Sequence, residues 1–318
     1  DEGDNPPYLA VFNIEDCKLH MINIQFDIAP ESIPNYLIAG FGYNEVNIGE
    51  PAFTGASKSD TVMGNSIVGR YLYPPKGSFS HLKPYLDQNE KYAYLQDQHS
   101  FFDDKLQITL GGRYDDHNIY GSITNIRSGL YFQLIKGWAV KALYGEAFRE
   151  PTMFELHDSP DLKPAEMETW ELSLHFNPIK NIAGQVVYYQ NHASKIIEEQ
   201  AGTTGLRANI GLKKVQGLES LVKWQFDKFR GNIWYNYERN PDNPDFLNVA
   251  KNKLGFGVIC NITNNISMSL QGKYTDKIKT NALDVDGNDI IITIPEYKSF
   301  NLTLLANQIN FSTFPDID

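Results

Sequence analysis

No run of about 18 apolar residues occurs anywhere in the 318 residues, which excludes a membrane-spanning helix. Cysteine is nearly missing. Cys17 and Cys260 lie far apart in sequence, and no metal-type cysteine spacing exists. Cys260 continues the apolar alternation of Leu254, Phe256 and Val258, so we expect it to face outward unpaired, given how strict disulfide geometry is. Positive charge is also scarce. Lys and Arg number 28 against 39 Asp and Glu, and a net charge of -11 argues against nucleic acid as a partner. The seven histidines and the serines show no nucleophile-elbow or zinc spacing, so no enzyme is expected. The first residues, Asp1-Glu2-Gly3-Asp4, lack the basic segment and apolar run of a signal peptide.

Alternation of polar and apolar residues fills the space these absences leave. Between Leu106 and Phe176 stand four segments of about ten residues, each with a period of two, the signature of strands. Leu106, Ile108, Leu110, Gly112 and Tyr114 oppose Gln107, Thr109, Gly111, Arg113 and Asp115. Ile126, Ser128, Leu130, Phe132 and Leu134 oppose Asn125, Arg127, Gly129, Tyr131 and Gln133. Trp138, Val140, Ala142 and Tyr144 oppose Lys141, Gly145 and Arg149, and Trp170, Leu172, Leu174 and Phe176 oppose Thr169, Glu171, Ser173 and His175. The same pattern predicts strands over Tyr8–Ile14, Lys18–Ile28, Ile33–Val46, Lys91–Phe101, Ile182–Ile196, Val215–Phe226, Asn232–Arg239, Lys253–Asn261, Ile266–Tyr274 and Tyr297–Ala306, about thirteen clear strands in all, with no slip of alternation after Phe176.

The connections alternate in length. Long ones are expected at Asn47–Asn89, Asp116–Thr124, Glu150–Glu168, Ile197–Lys213, Asn240–Asn252 and Thr275–Glu296. Short ones fall at Ala29–Ser32, Phe102–Asp104, Ile135–Gly137, Asn177–Asn181, Asp227–Arg230 and Thr263–Asn265. That pattern is expected of an antiparallel outer-membrane barrel, with long loops outside the cell and short turns in the periplasm. The mean hydropathy of -0.38 is compatible, because half of each strand faces a polar lumen. Eighteen Phe, 18 Tyr and 4 Trp suffice for interfacial girdles.

Several short motifs in order carry a resemblance. Gly112-Arg113-Tyr114-Asp115 is similar to a "GxRYD" strand end, and Arg127-Ser128-Gly129-Leu130-Tyr131 to an "RxGLxY" strand. Tyr144 to Pro151 resembles a "YGxxFRAP" box, with Glu150 where Ala is usual. Leu162-Lys163-Pro164-Ala165-Glu166 followed by Trp170-Glu171-Leu172 resembles an "NLKPE…ELG" segment with Ala165 inserted, and Val215 to Glu219 resembles a "vxGxE" strand start. Together they resemble the barrel of TonB-dependent outer-membrane receptors.

The fold this implies is all-β, a transmembrane antiparallel β-barrel of the type with about 22 strands around a plug, here a portion of about thirteen. Residues 1–318 are then one partial barrel domain, without plug, N-terminal strands or last strands, from a processed or truncated chain. Such an open sheet is expected not to form a stable membrane unit alone, since unpaired edges are costly in lipid.

The resemblance implies energised uptake of a scarce nutrient, most simply a ferric siderophore. The TonB complex would act through the plug segment, outer-membrane lipid would surround the wall, and no cofactor is implied. Arg113, Arg127, Lys141 and Arg149 fall on the lumen face, where guanidinium groups suit an anionic chelate. The competing reading is that they pair with carboxylates to build the wall. Tyr131 shares that face through the "RxGLxY" strand. His157, between the "FRAP"-like and "LKP" boxes, stands where haem receptors of the family carry an axial histidine; a solvated loop residue is the alternative. Asp284 to Asp289 departs from a calcium loop, with Asp289 where Gly and Pro295 where Glu would be needed, and reads as a hairpin tip around Asp286-Gly287. Haem or cobalamin uptake, a passive porin and a structural barrel remain the rival functions.

Overall fold

A computed structural model describes residues 8–13, 17–30, 34–48, 52–57, 86–152, 155–156, 159–200, 206–242, 247–283 and 289–306. Its main body is one antiparallel sheet of thirteen strands. In chain order these are β2 (Lys18–Ile28), β3 (Asn35–Asn47), β5 (Asp87–Phe101), β6 (Leu106–His117), β7 (Gly121–Ile135), β8 (Trp138–Arg149) and β9 (Ala165–Ile179), then β10 (Ile182–Glu199), β11 (Arg207–Phe226), β12 (Phe229–Arg239), β13 (Asn252–Asn261), β14 (Ile266–Thr275) and β17 (Tyr297–Ala306). Each pairs with the next, so the sheet is a meander, and its edge strands β2 and β17 do not pair with each other. Two two-stranded sheets stand apart. β1 (Tyr8–Asn13) pairs with β4 (Ala52–Ser57), and β15 (Ile278–Leu283) with β16 (Asp289–Ile294).

The expected thirteen strands are present, with β1 outside the main sheet. Short turns gather at one end, at 102–105, 136–137, 180–181, 227–228 and 262–265, and the turn between β6 and β7 lies at the other. In the tight 102–105 turn, Phe102, Asp103 and Asp104 all adopt left-handed φ angles, between 55° and 64°.

Three expectations are corrected. The connection expected over Asp116–Thr124 is a turn at 118–120, because β6 and β7 stay paired up to His117 opposite Gly121. The loop expected over Ile197–Lys213 shrinks to 200–206, since β10 and β11 continue to Glu199 opposite Arg207. Past Asp115 the first stretch is polar on both faces and gives no sign of the strand; in the second, bulges between Ala193 and Ile197 break the period of β10, although Ala208, Ile210 and Leu212 of β11 still alternate with Arg207, Asn209 and Lys213. The alternation after Phe176 also slips, at bulges between Ile182 and Gly184 and between Ala193 and Ile197, where Lys195 takes φ 52°. The expected tip at Asp286-Gly287 lies outside the described residues, although β15 and β16 pair on either side of it.

The burial pattern is that of a wall between two media. Leu110, Leu130, Phe132, Leu134, Trp170 and Leu172 point to one face, where Leu110 is 59% and Trp170 57% exposed. An exposed apolar face this extensive requires a non-aqueous neighbour. Among the described residues the buried apolar cluster is elsewhere: Leu156, Leu162 and Ile197, with Ile119 against them, sit under the loops at the long-loop end. The two cysteines are free thiols, and Cys260 pairs in register with Met268 and Phe229 on the apolar face, as its alternation predicts.

Candidate functional site

Cross-strand partners share a face, so the register sorts the polar residues. Arg127 lies opposite Gly111 and Gly145, Tyr131 opposite Gln107 and Lys141, and Arg113 opposite Tyr94. All of these fall on the face opposite Leu110 and Trp170, which is the lumen side. Arg113, Arg127, Lys141 and Arg149 therefore stand where alternation puts them.

Towards the long-loop end, Arg113 is enclosed. Its Nε donates to Asp115 Oδ1 at 2.7 Å, Nη2 lies 2.6 Å from the same oxygen and 3.7 Å from Glu90, and the guanidinium sits 4.0 Å from the Tyr92 ring centre. Glu90 also accepts from Asn44 Nδ2 at 2.7 Å. Asp115 is fully buried, a state tolerable for a carboxylate only with a paired cation. The Tyr92 and Tyr94 rings lie flat over Gly42 and Gly40 of the neighbouring strand, where a Cβ would collide with them. Glycine on β3 thus makes room for the ring that supports Arg113.

Arg149 anchors a loop. Its Nη1 and Nη2 donate to the two oxygens of Glu155 at 3.0 and 3.1 Å, and Arg207 approaches the same carboxylate at 3.8 Å. Glu155 opens a helical turn with a reciprocal cap: Thr152 N donates to Glu155 Oε2 at 2.8 Å and Glu155 N to Thr152 Oγ1 at 3.3 Å. Burial alone would raise the Glu155 carboxyl, but the Arg149 fork and the Thr152 N–H outweigh it and hold it below the usual range. Tyr120, in the turn between β6 and β7, donates to Glu150 Oε1 at 2.6 Å. Burial, then that carboxylate, raises its hydroxyl. Further along, Asn209 accepts from Lys163 N and donates to the carbonyls of Lys163 and Lys195. The described parts of the 150–164 connection are thereby fastened to the wall at Glu155 and at Lys163.

Arg127 and Tyr131 are different. Neither has a hydrogen bond or ion pair among the described residues, and both face the lumen lower down. Tyr131, Gln133, Lys141, His175, Gln185 and Lys223 line a cleft of about 540 Å³ at the short-turn end, where Ser173 Oγ lies 3.0 Å from His175 Nε2. His157 lies outside the described residues; the other four residues singled out from sequence share the lumen face without meeting, Arg113 and Arg149 paired with carboxylates near the long-loop end and Arg127 and Tyr131 without a partner among the described residues. Glu90, Asp115, Glu155, His175 and Lys223 were not singled out. The Thr152-x-x-Glu155 spacing is a capping-box signal that marks one of them. For the others the lumen-facing parity was legible, but their neighbours depend on register across strands.

The apolar outer face, the polar lumen face and the meander define a membrane β-barrel wall. The chain belongs to the TonB-dependent receptor β-barrel family: residues 31–314 match the family "TonB dependent receptor-like, beta-barrel", a family of outer-membrane transporters and receptors rather than enzymes. Among curated relatives, a vitamin B12 transporter of Vibrio cholerae is 29% identical over 111 residues, 34% of this chain and 18% of that protein. Another from Vibrio vulnificus is 33% identical over 67 residues, 21% of this chain and 11% of that protein. Among solved structures, the siderophore receptor PirA of Acinetobacter baumannii superposes with a TM-score of 0.66 at 14% identity, over 92% of this chain and 49% of that one. A mutant of the ferric enterobactin receptor of Pseudomonas aeruginosa gives 0.67 at 14% identity, over 92% and 46%. The chain spans about half the length of these receptors.

Proposed function

We propose that the chain forms part of the wall of a bacterial outer-membrane receptor that takes up a scarce nutrient by TonB-dependent transport, with a ferric siderophore as cargo. The observation that carries this reading is the pair Arg127 and Tyr131, lumen-facing donors on β7 without a partner among the described residues. A guanidinium and, four residues further along the same strand, a phenol suit the oxygens of an anionic chelate. Arg113 and Arg149, already neutralised by carboxylates, shape the mouth and keep the 150–164 loop in place. On this reading residues 1–318 are a partial barrel domain. A plug outside the chain closes the lumen, and TonB, driven by the inner-membrane proton gradient, pulls on it to release the cargo inward.

The test is binding by the complete receptor in detergent, titrated with ferric siderophores, haem and cobalamin. A ferric chelate bound at submicromolar Kd and weakened at least tenfold by Arg127→Ala supports the reading. Cobalamin is the second reading, supported by the 111-residue match at 29% identity to a vitamin B12 transporter. Haem binding lost in His157→Ala would assign that histidine as an axial ligand. A receptor that binds none of the three and passes small solutes freely would be a porin, and the proposal would be wrong.

A further inference from the structure

Where β12 ends, away from the short turns, a cleft of about 240 Å³ opens beside Tyr237, with Pro241 and Val249 in its lining. Two exposed cations line it as well, Arg239 and Lys251. Lys251 Nζ stands 5.7 Å from the centre of the Tyr237 ring, within cation–π range. Arg239 Nη2 donates to Gln216 Oε1 at 3.0 Å. Neither cation forms an ion pair among the described residues. In a chain of net charge -11 the acids around them are engaged elsewhere. Asp242 is held by Lys214 at 3.1 Å, and Asp276 accepts from Asn252 Nδ2 and Lys277 N at 2.9 Å each. Glu238, the acid among the lining residues, lies opposite Gly217, which is opposite Tyr189 on the lumen face.

Register puts Tyr237 and Arg239 on the other, lipid-facing side. Tyr237 pairs with Leu218, which continues through Tyr188 to Leu172 on the apolar face. Arg239 pairs with Gln216, in the row of Gln190 and Trp170. Tyr237 stands eight residues along β12 from Phe229, which lies at the short-turn end. At about 3.3 Å per residue and a tilt of about 40°, that is roughly 20 Å of height, and Arg239 reaches roughly 25 Å, the upper limit of an apolar band about 25 Å tall. Below them the same face is apolar and exposed, Ile233 at 45% and Leu254 at 40%. Cations backed by a tyrosine at the edge of a lipid-facing surface meet headgroups, whose phosphate oxygens a guanidinium and an ammonium recognise.

We infer that the outer wall at the end of β12 binds an anionic membrane lipid through its phosphate. Arg239 and Lys251 take the phosphate oxygens, and the acyl chains lie along Ile233 and Leu254. Tyr237 holds the ammonium over its ring. Arg239 uses one of its five N–H groups on Gln216, so a bidentate face remains for the phosphate. The site continues the lipid-facing surface and does not depend on which cargo the lumen carries.

The experiment uses the complete receptor, delipidated in detergent, with bound lipid counted by native mass spectrometry. The probes are phosphatidic acid, phosphatidylcholine with the same chains, and inorganic phosphate. Phosphatidic acid is expected to bind its tightest site at least tenfold more strongly than phosphatidylcholine, which carries a cation beyond its phosphate. Arg239→Gln and Lys251→Gln should each weaken that binding at least fivefold. Lys195→Gln, which removes the same charge from a lysine held by Glu166 at 2.6 Å, should leave it unchanged. Acylation of Lys251, followed in the same samples, should slow at least threefold with phosphatidic acid and not with equimolar inorganic phosphate.

Equal binding of the two lipids, or wild-type affinity in both cleft variants, overturns the site. So does an equal loss in Lys195→Gln, since net charge alone would then be acting. A Lys251 that reacts equally with and without phosphatidic acid places the lipid elsewhere and overturns it too. Protection by equimolar inorganic phosphate overturns the lipid assignment, because the anion alone would then fill the cleft.

Discussion

Glu155→Gln tests whether loop 150–164 is fixed to the wall by charge. The native carboxylate accepts two hydrogen bonds from Arg149, at 3.0 and 3.1 Å, and one from Thr152 N at 2.8 Å. Glutamine keeps one acceptor oxygen and turns an amide donor towards a guanidinium that also donates. Hydrogen bonds to charged groups contribute about 1.5–3 kcal/mol each. The Arg149 side chain is 50% exposed, so water replaces part of what it loses, and the low end of that range applies. The net expectation is about 2 kcal/mol of loop docking, roughly a 30-fold larger open population at tenfold per 1.4 kcal/mol. Hydrogen exchange in the complete receptor reads this directly as lost protection in 150–164, with the strands unchanged. Arg207→Gln is the internal comparison. At 3.8 Å its nitrogen makes a longer-range ion pair, and its removal should change exchange by no more than about two- to threefold. Unchanged protection in Glu155→Gln, or an equal loss in Arg207→Gln, would refute the reasoning.

The same anchor predicts a pH dependence. The folded carboxyl of Glu155 lies below its ordinary value of 4.5, so its contribution is complete above that value and lost as pH falls through the folded one; loop protection should decline only under acid conditions, and a decline between pH 8 and 6 would contradict this. Gly42→Val should cost about 1–3 kcal/mol, because its Cβ would strike the Tyr92 ring and come within 2.7 Å of the Ile22 carbonyl. Gly112→Val, whose Cβ meets only the Asn125 carbonyl at 3.8 Å, should stay within about 0.5 kcal/mol, so equal midpoints in denaturant unfolding would defeat the argument. Asp104→Val places a β-branched residue at φ 64° and should destabilise by about 1–2 kcal/mol, whereas Asp104→Gly should be nearly neutral in the same assay.

The sequence by itself determined the strands of the wall, which face each residue takes, and the family. A period of two is a local property: once Leu106, Ile108 and Leu110 share the apolar side, Arg113 must point to the other, whatever the strand is paired with. Family motifs are also local, so Gly112 to Asp115 and Tyr144 to Pro151 were readable as they stood. Tertiary structure decided where the strands stop and which lumen residues meet. Backbone pairing carried β6 to His117 through a stretch polar on both faces, and β10 to Glu199 past bulges that break its period, because ladder hydrogen bonds need no alternation. It also decided which cations are occupied. Arg113 and Arg127 look alike in sequence, yet register and burial set Asp115 and Glu90 against the first and leave the second facing the lumen without a partner among the described residues. Charge pairing across a sheet is a property of neighbours brought together by register, and no stretch of a single strand contains it.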